Sequence, residues 1–244
     1  MNRLSGRKAL ITGGGAGIGA AAAKLFRDEG ARVFVVDAKP GAGVDFAADV
    51  ADAAKAAEAV AKAHSALGGI DVLVNNAAMR NYTAIGDATP EEWQAVVGVN
   101  LLGAANYCRA ALPALRKSGK GAIVNVSSVY GVAGRKGMGL YDATKAGMLA
   151  LTRTLAHEEA SHGIRANAVC PGSTLTDFHL DKARAAGRDV EKLKTERDDN
   201  SLVGRWATPQ EIAWPILWLA SDEAAFITGA TLMVDGGLSI FQGR

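Results

Sequence analysis

With 244 residues, 27 Lys+Arg against 25 Asp+Glu and a net charge of +2, the chain is long enough for one large α/β unit, and it has no charged block or basic stripe with interleaved aromatics, so nucleic acid is not an expected partner. The N-terminus has no apolar signal-peptide core, and no apolar run reaches the ~20 residues of a membrane span, so no membrane partner is expected. Cys108 and Cys170 sit in apolar surroundings, and His64, His157, His162 and His179 have no ligand spacing, so a soluble cytoplasmic protein with reduced thiols and no metal is expected.

Lys8-Ala-Leu-Ile-Thr12 reads as a short apolar strand, followed at once by Gly13-Gly-Gly15-Ala-Gly17-Ile18-Gly19 and a helix over 20–29 that Gly30 stops. Residues 32–37 (Arg-Val-Phe-Val-Val-Asp) form a second buried strand. Strand, glycine-rich turn, helix, strand and a terminal acid make a dinucleotide-binding βαβ unit. Glycines let the backbone turn tightly and approach a pyrophosphate, which then rests on the helix N-terminus. Asp37 stands where a carboxylate accepts hydrogen bonds from both ribose hydroxyls and repels a 2′-phosphate. Ala16 and Ala38 supply no cation for such a phosphate, although Lys39 is close. NAD is therefore expected over NADP.

Residues 46–50 read as a short third strand and 52–67 as an Ala-rich helix; Asp49 either bonds the adenine amino group or caps that helix. A fourth strand, 70–76, runs into Asn75-Asn76-Ala77-Ala78. Thr89-Pro90 is a capped helix start, and a long helix follows from about Val99-Asn100 to Lys117. Asn100, an amide in an apolar stretch, is either satisfied by a neighbouring carbonyl or holds a water. The fifth strand is 121–128, and 140–162 is one long helix. The sixth strand is 165–172, broken by Pro171-Gly172; 178–200, charged and irregular, is a helical flap for substrate. Thr208-Pro209 opens another helix, kinked at Pro215; 231–237 is the last strand and 238–244 a tail. Strand–helix alternation without linker or repeat predicts a single α/β domain over 1–244, a doubly wound parallel sheet with helices on both faces.

Tyr141 and Lys145, four apart, share a helix face. An ammonium near a phenol favours phenolate, which would let Tyr141 serve as general acid or base near neutral pH. Ser128, ending an apolar strand, is placed to hydrogen-bond the oxygen that Tyr141 protonates.

Taken together, Thr12-Gly13-x-x-x-Gly17-Ile18-Gly19, Asn75-Asn76-Ala77, Asn100, Ser128, Tyr141-x-x-x-Lys145, Pro171-Gly172 and Asp235-Gly236-Gly237 resemble the short-chain dehydrogenase/reductase family, nearly end to end. The resemblance implies a Rossmann-like sheet of seven strands and a tetrad of Asn100, Ser128, Tyr141 and Lys145. In it Lys145 holds the nicotinamide ribose and depresses the tyrosine pKa, while Asn100 anchors a relay water. It further implies cofactor contacts from Gly13, Gly15, Gly17, Ile18, Gly19, Asp37, Asp49, Val50, Asn76, Ala77, Ala78, Pro171, Gly172, Thr174 and Thr176, with Thr176 on the carboxamide. Ala78 and Thr174 depart from the family pattern, and so does Asp142, which is expected to face away from Tyr141.

Substrate specificity is expected from the loops at the strand ends, with Arg80, Tyr130, Arg135, Met138 and His179 as candidates. Arg80 and Arg135 turned inward together would clamp an anion. The function expected is a secondary alcohol/ketone oxidoreductase using NAD on a small polar or anionic hydroxy compound such as a sugar, sugar acid or hydroxy acid. A reductase of 3-oxoacyl thioesters is the alternative enzyme, and a non-catalytic dinucleotide sensor the alternative of another class. By resemblance the protein is a homo-oligomer, a tetramer, in which the tail through Phe241 and Arg244 approaches a neighbour's pocket.

Overall fold

The computed structural model describes residues 2–240. Its elements in chain order are β1 (Lys8–Thr12), α1 (Gly17–Asp28), β2 (Arg32–Asp37), β3 (Phe46–Ala47), α2 (Ala53–Leu67), β4 (Val72–Asn75), α3 (Pro90–Val97), α4 (Gly103–Ser118), β5 (Ala122–Val126), α5 (Gly139–Glu159), β6 (Arg165–Pro171), α6 (Asp177–Ala185), α7 (Val190–Thr195), α8 (Pro209–Ala220) and β7 (Thr231–Val234). The seven strands form one sheet in the order β3-β2-β1-β4-β5-β6-β7, and every pairing is parallel.

The strands read as unbroken apolar runs because both faces of the sheet are covered. Successive residues point to opposite faces. Ile11, Val35, Val74 and Val124 pack with Ala22 and Phe26 of α1 and with Ile212, Ile216 and Leu217 of α8. Their neighbours Leu10, Phe34, Leu73 and Ile123 pack on the other side with Val60 of α2, Tyr107 and Leu115 of α4, and Leu155 of α5. β1 pairs with β2 on one side and β4 on the other, so chain direction across the sheet reverses there and a crevice opens beyond the strand ends.

Several predicted boundaries move for local reasons. α1 begins at Gly17, so the last two glycines of the loop belong to its first turn. β3 has two residues, because the chain from Ala48 on turns along the crevice. Thr89 and Glu92 form a reciprocal capping box at the start of α3, which continues through a wide turn, Gly98–Leu102, into α4. Within the joined helix Pro90–Ser118 an 18-residue window has a mean hydropathy of 1.2, enough by length and composition alone to cross a membrane, where the sequence reading expected no such run. Its Tyr107, Cys108, Ala111 and Leu115 belong to the core beneath the sheet. The flap folds as α6 and α7; Pro215 lies inside α8, which continues to Ala220. The proposed tail contact of Phe241 and Arg244 lies outside the described residues.

Candidate active site

The glycine loop is held by close packing that side chains would prevent. Gly13 has φ +63°, and a Cβ there would lie 2.7 Å from the Cα of Ala77; a Cβ on Gly19 would lie 2.1 Å from the Gly13 carbonyl oxygen. Asn76 Nδ2 donates to the carbonyls of Thr12 (3.2 Å) and Gly13 (2.8 Å). Thr12 Oγ1 accepts the N–H groups of Asn76 and Ala77. β1 and β4 thus lock the loop from both sides.

Over this loop lies a cleft of about 610 Å³, lined by Gly13, Gly17, Ile18, Asp37, Asp49, Val50, Asn76, Ala77, Ala78, Arg80 and Thr176, among others. Asp37 accepts from the N–H of Gly15 (3.0 Å) and of Lys39 (3.2 Å) at the cleft's far end. Gly15 and Gly19 are not on the cleft wall: Gly15 positions Asp37, and Gly19 packs against Gly13. Asp52, not Asp49, caps α2; Asp49 accepts from Ala51 N–H and faces the cleft. The cradle fits a dinucleotide. Its anion position is marked by the Gly17 N–H at the start of α1, which donates to a carboxylate oxygen of Asp177, 160 residues on, at 3.1 Å. Asp177 was missed from the sequence, and no local signal reports a contact of that separation.

Two smaller cavities continue the cleft. One, of about 130 Å³, is lined by Ser128, Tyr141, Lys145, Pro171, Gly172, Thr174 and Thr176; the next, of about 200 Å³, by Ser128, Tyr130, Arg135, Tyr141, Thr174, His179, Asn200 and Trp206. Arg80 lines all three. Tyr141 is 7% exposed and Lys145 1%. Burial raises the Tyr141 pKa; Arg80 foremost, the Ser128 hydroxyl and Arg135 act against it, and Asp142 adds a small rise. Lys145 donates to the Val126 carbonyl at 2.8 Å, and burial brings its pKa down to about 7. Lys145 Nζ lies 5.6 Å from the centre of the Tyr141 ring, and two further cations that act against the rise, Arg80 and Arg135, come from loops.

Asn100 is fully buried in the wide turn. Its Oδ1 accepts from Met79 N–H (2.8 Å), and its Nδ2 donates to the Met79 carbonyl (3.0 Å) and Thr144 Oγ1 (3.0 Å). Both Nδ2 hydrogens and one Oδ1 lone pair are thus used within the protein, which makes the side chain the fixture of the loop that carries Arg80. Asp142 does turn from the phenol, but into the protein: it is buried and accepts from the main-chain N–H and Nη2 of Arg135 (3.2 and 3.3 Å). The guanidinium carbon of Arg135 lies over Tyr130, 3.6 Å from the ring centre. Met138 is buried at the N-cap of α5 and lines none of these cavities, so it is removed from the substrate set. Ser173, Asn200 and Trp206 join that set; Trp206 packs 5.3 Å from the His179 ring. No group of three or more His, Cys, Asp or Glu fit to hold a metal occurs among the described residues.

A family model described as enoyl-(acyl carrier protein) reductase matches residues 13–239. The chain is 36% identical to 2-(S)-hydroxypropyl-CoM dehydrogenase 3 of Xanthobacter autotrophicus, covering 98% of each. The chain belongs to the short-chain dehydrogenase/reductase family. It is also 38% identical to the 3-oxoacyl-[acyl-carrier-protein] reductase FabG of Thermotoga maritima, over 98% of this chain and 100% of that one. The ligand-free aldohexose dehydrogenase of Thermoplasma acidophilum superposes with a TM-score of 0.92 at 34% identity, over 98% of this chain and 96% of that one. As a short-chain dehydrogenase/reductase the protein is an oxidoreductase acting on CH–OH groups with a nicotinamide dinucleotide.

Proposed function

We propose that the protein interconverts a secondary alcohol and a ketone on a small polar or anionic compound, using NAD, with Tyr141 as general acid/base. The observation that carries this reading is the convergence of Ser128, Tyr141 and Lys145 on one small cavity that opens into the dinucleotide cleft. Bound dinucleotide supplies or accepts the hydride. In the oxidative direction Tyr141, as phenolate, takes the hydroxyl proton; in reduction its phenol gives a proton to the carbonyl oxygen. Ser128 donates to that same oxygen. Arg80 and Arg135 stabilise the phenolate against its burial. Lys145 lies within reach of a ribose through an Nζ now bound to the Val126 carbonyl. Asp37 supports NAD: its carboxylate is fixed by two main-chain N–H groups and would repel a 2′-phosphate.

The Thermotoga relative favours a second reading, reduction of 3-oxoacyl thioesters. The roughly 200 Å³ cavity, room for about seven waters, favours the smaller substrate. We also infer a cytoplasmic tetramer, an assembly supported by exposed apolar side chains such as Leu102 and Trp214.

The test is absorbance at 340 nm over a panel of sugars, hydroxy acids and 3-hydroxyacyl thioesters, with thermal shifts by NAD and NADP. Tyr141→Phe is expected to lower kcat by about 10²–10⁴-fold with cofactor binding retained. A variant with wild-type kcat overturns the role of Tyr141, and stronger protection by NADP overturns the cofactor assignment.

A further inference from the structure

The cavity beyond Tyr141 contains two guanidinium groups, Arg80 and Arg135, and no carboxylate on its wall. The two cations are differently placed. Arg135 is paired with a carboxylate: Asp142 accepts from both its main chain and its Nη2, and its guanidinium carbon lies 3.6 Å from the centre of the Tyr130 ring, while its buried Nε makes no hydrogen bond among the described residues. Arg80 has no carboxylate partner among the described residues. Its Nη1 is 2.8 Å from His179 Nε2, and its guanidinium carbon lies 5.3 Å from the centre of the Phe178 ring.

His179 is a neutral partner. Burial, with Arg80 and Lys182 nearby, brings its pKa down to about 4. Nδ1 of the ring faces both Thr176 Oγ1, at 2.9 Å, and the Thr176 main-chain N–H, at 3.3 Å; when Nε2 accepts from Arg80 the ring proton is on Nδ1, directed at Oγ1, and the longer main-chain bond is given up. The ring is thus fixed through α6 by Thr176, and Asn100 fixes Met79 at the base of the Arg80 loop. Both anchors aim the guanidinium without neutralising it. Because His179 occupies Nη1, the Nε–Nη2 edge of Arg80, which makes no hydrogen bond among the described residues, is left open. That edge is one of the two with which arginine grips a carboxylate through two parallel hydrogen bonds.

We propose that Arg80 is the carboxylate anchor of the substrate and His179 its positioning residue, so that the alcohol handled at Tyr141 belongs to a small hydroxy acid. In oxidation the carbinol C–H leaves as hydride to the dinucleotide and the hydroxyl proton passes to Tyr141, giving the oxo acid; its carboxylate stays on Arg80 throughout. This rests on the alcohol/ketone reading given above.

The experiment compares 3-hydroxybutyrate with its uncharged amide, in wild type, Arg80→Gln, Arg80→Lys and His179→Gln, and adds a thermal shift by malonate, an inert carboxylate, on the cofactor-loaded protein. Expected are a preference of wild type for the acid and, in Arg80→Gln, a loss in kcat/KM about 10–100-fold larger for the acid than for the amide, the excess carried mainly by KM; the loss common to both substrates reports the effect of Arg80 on Tyr141. Arg80→Lys should recover part of the loss, and His179→Gln should raise KM for the acid alone. Malonate should protect wild type and not Arg80→Gln. Equal losses on acid and amide would mean that Arg80 acts only through Tyr141 and would overturn the proposal, as would a wild-type preference for the amide. If neither compound is turned over, the readings part: malonate protection that disappears in Arg80→Gln upholds the anchor while the reaction assignment fails, and no protection of wild type overturns the anchor itself.

Discussion

At the dinucleotide end of the cleft, bare backbone at Gly13, Gly17 and Gly19 meets strands and helix within a span of seven residues, and Asn76 closes it with main-chain hydrogen bonds. At the substrate end, Arg80 and Arg135 from two loops and His179 from the first turn of α6 line one cavity. The first region tolerates no added atoms, while the second is organised by charge and can be retuned one side chain at a time. Affinity for the common partner is thus built into the rigid part, and choice of substrate into the adaptable part.

The sharpest way to break this contrast is to add one methyl to the rigid end. Gly19→Ala puts a Cβ against the Gly13 carbonyl, 2.1 Å away, where backbone must move. Overpacking of this kind costs about 1–3 kcal/mol, so a Tm lower by roughly 3–10 °C and loss of the NAD thermal shift are expected. Unchanged NAD protection would show the loop to be less constrained than its packing implies. Next in size, Asp37→Ser removes a charged acceptor, and NAD affinity should fall about 10-fold while NADP protection gains; isothermal titration with each cofactor decides.

Asp177→Asn tests the one place where the adaptable half intrudes on the rigid half. Its carboxylate holds the Gly17 N–H where a diphosphate oxygen would go. Removing that charge should tighten NAD binding by about 2–5-fold, the size of an anion effect at a helix N-terminus; weaker binding would mean that the side chain cooperates with the cofactor. The smallest effect is on pH. His179 has a folded pKa of about 4 against an ordinary value of 6.5, so the unfolded chain binds the extra proton between those values. Its contribution to stability is complete above about pH 6.5 and is lost as pH falls towards 4. Tm measured from pH 7 to 4 should fall less steeply in His179→Gln than in wild type, and parallel curves would contradict the assignment.

What could be read from the chain follows the same division. The glycine spacing, Asp37 and the Tyr141–Lys145 pair are local patterns whose geometry follows from turn, strand end and helix pitch. Arg80 and His179 stand 99 residues apart and Gly17 and Asp177 160 apart, so no local pattern announces either contact. Spacing put Lys145 beside Tyr141, where its Nζ lies 5.6 Å from the ring centre, but the bond of that Nζ to the Val126 carbonyl, on a strand, is one that helix pitch says nothing about. Likewise, Asp142 was rightly turned from the phenol, yet its burial against Arg135 depends on a loop whose path only the fold reveals. Met138 was placed with the substrate loops because sequence alone does not show that the last loop residue, at the N-cap of α5, is buried.

The strand order has a consequence for how the protein is made. Outward from β1, each newly synthesised strand joins an edge of the sheet already present: β2 and β3 on one side, then β4 to β7 on the other. No strand has to be inserted between two that have paired, so folding on the ribosome can keep step with elongation. The helices do not share this order. α1 packs against α8, which ends at Ala220, as well as on the sheet, so the part of its apolar surface that faces α8 waits for its cover until nearly the whole chain has emerged. At usual elongation rates that wait is roughly 10–40 s, the interval in which a nascent-chain chaperone has an apolar surface on this protein to hold.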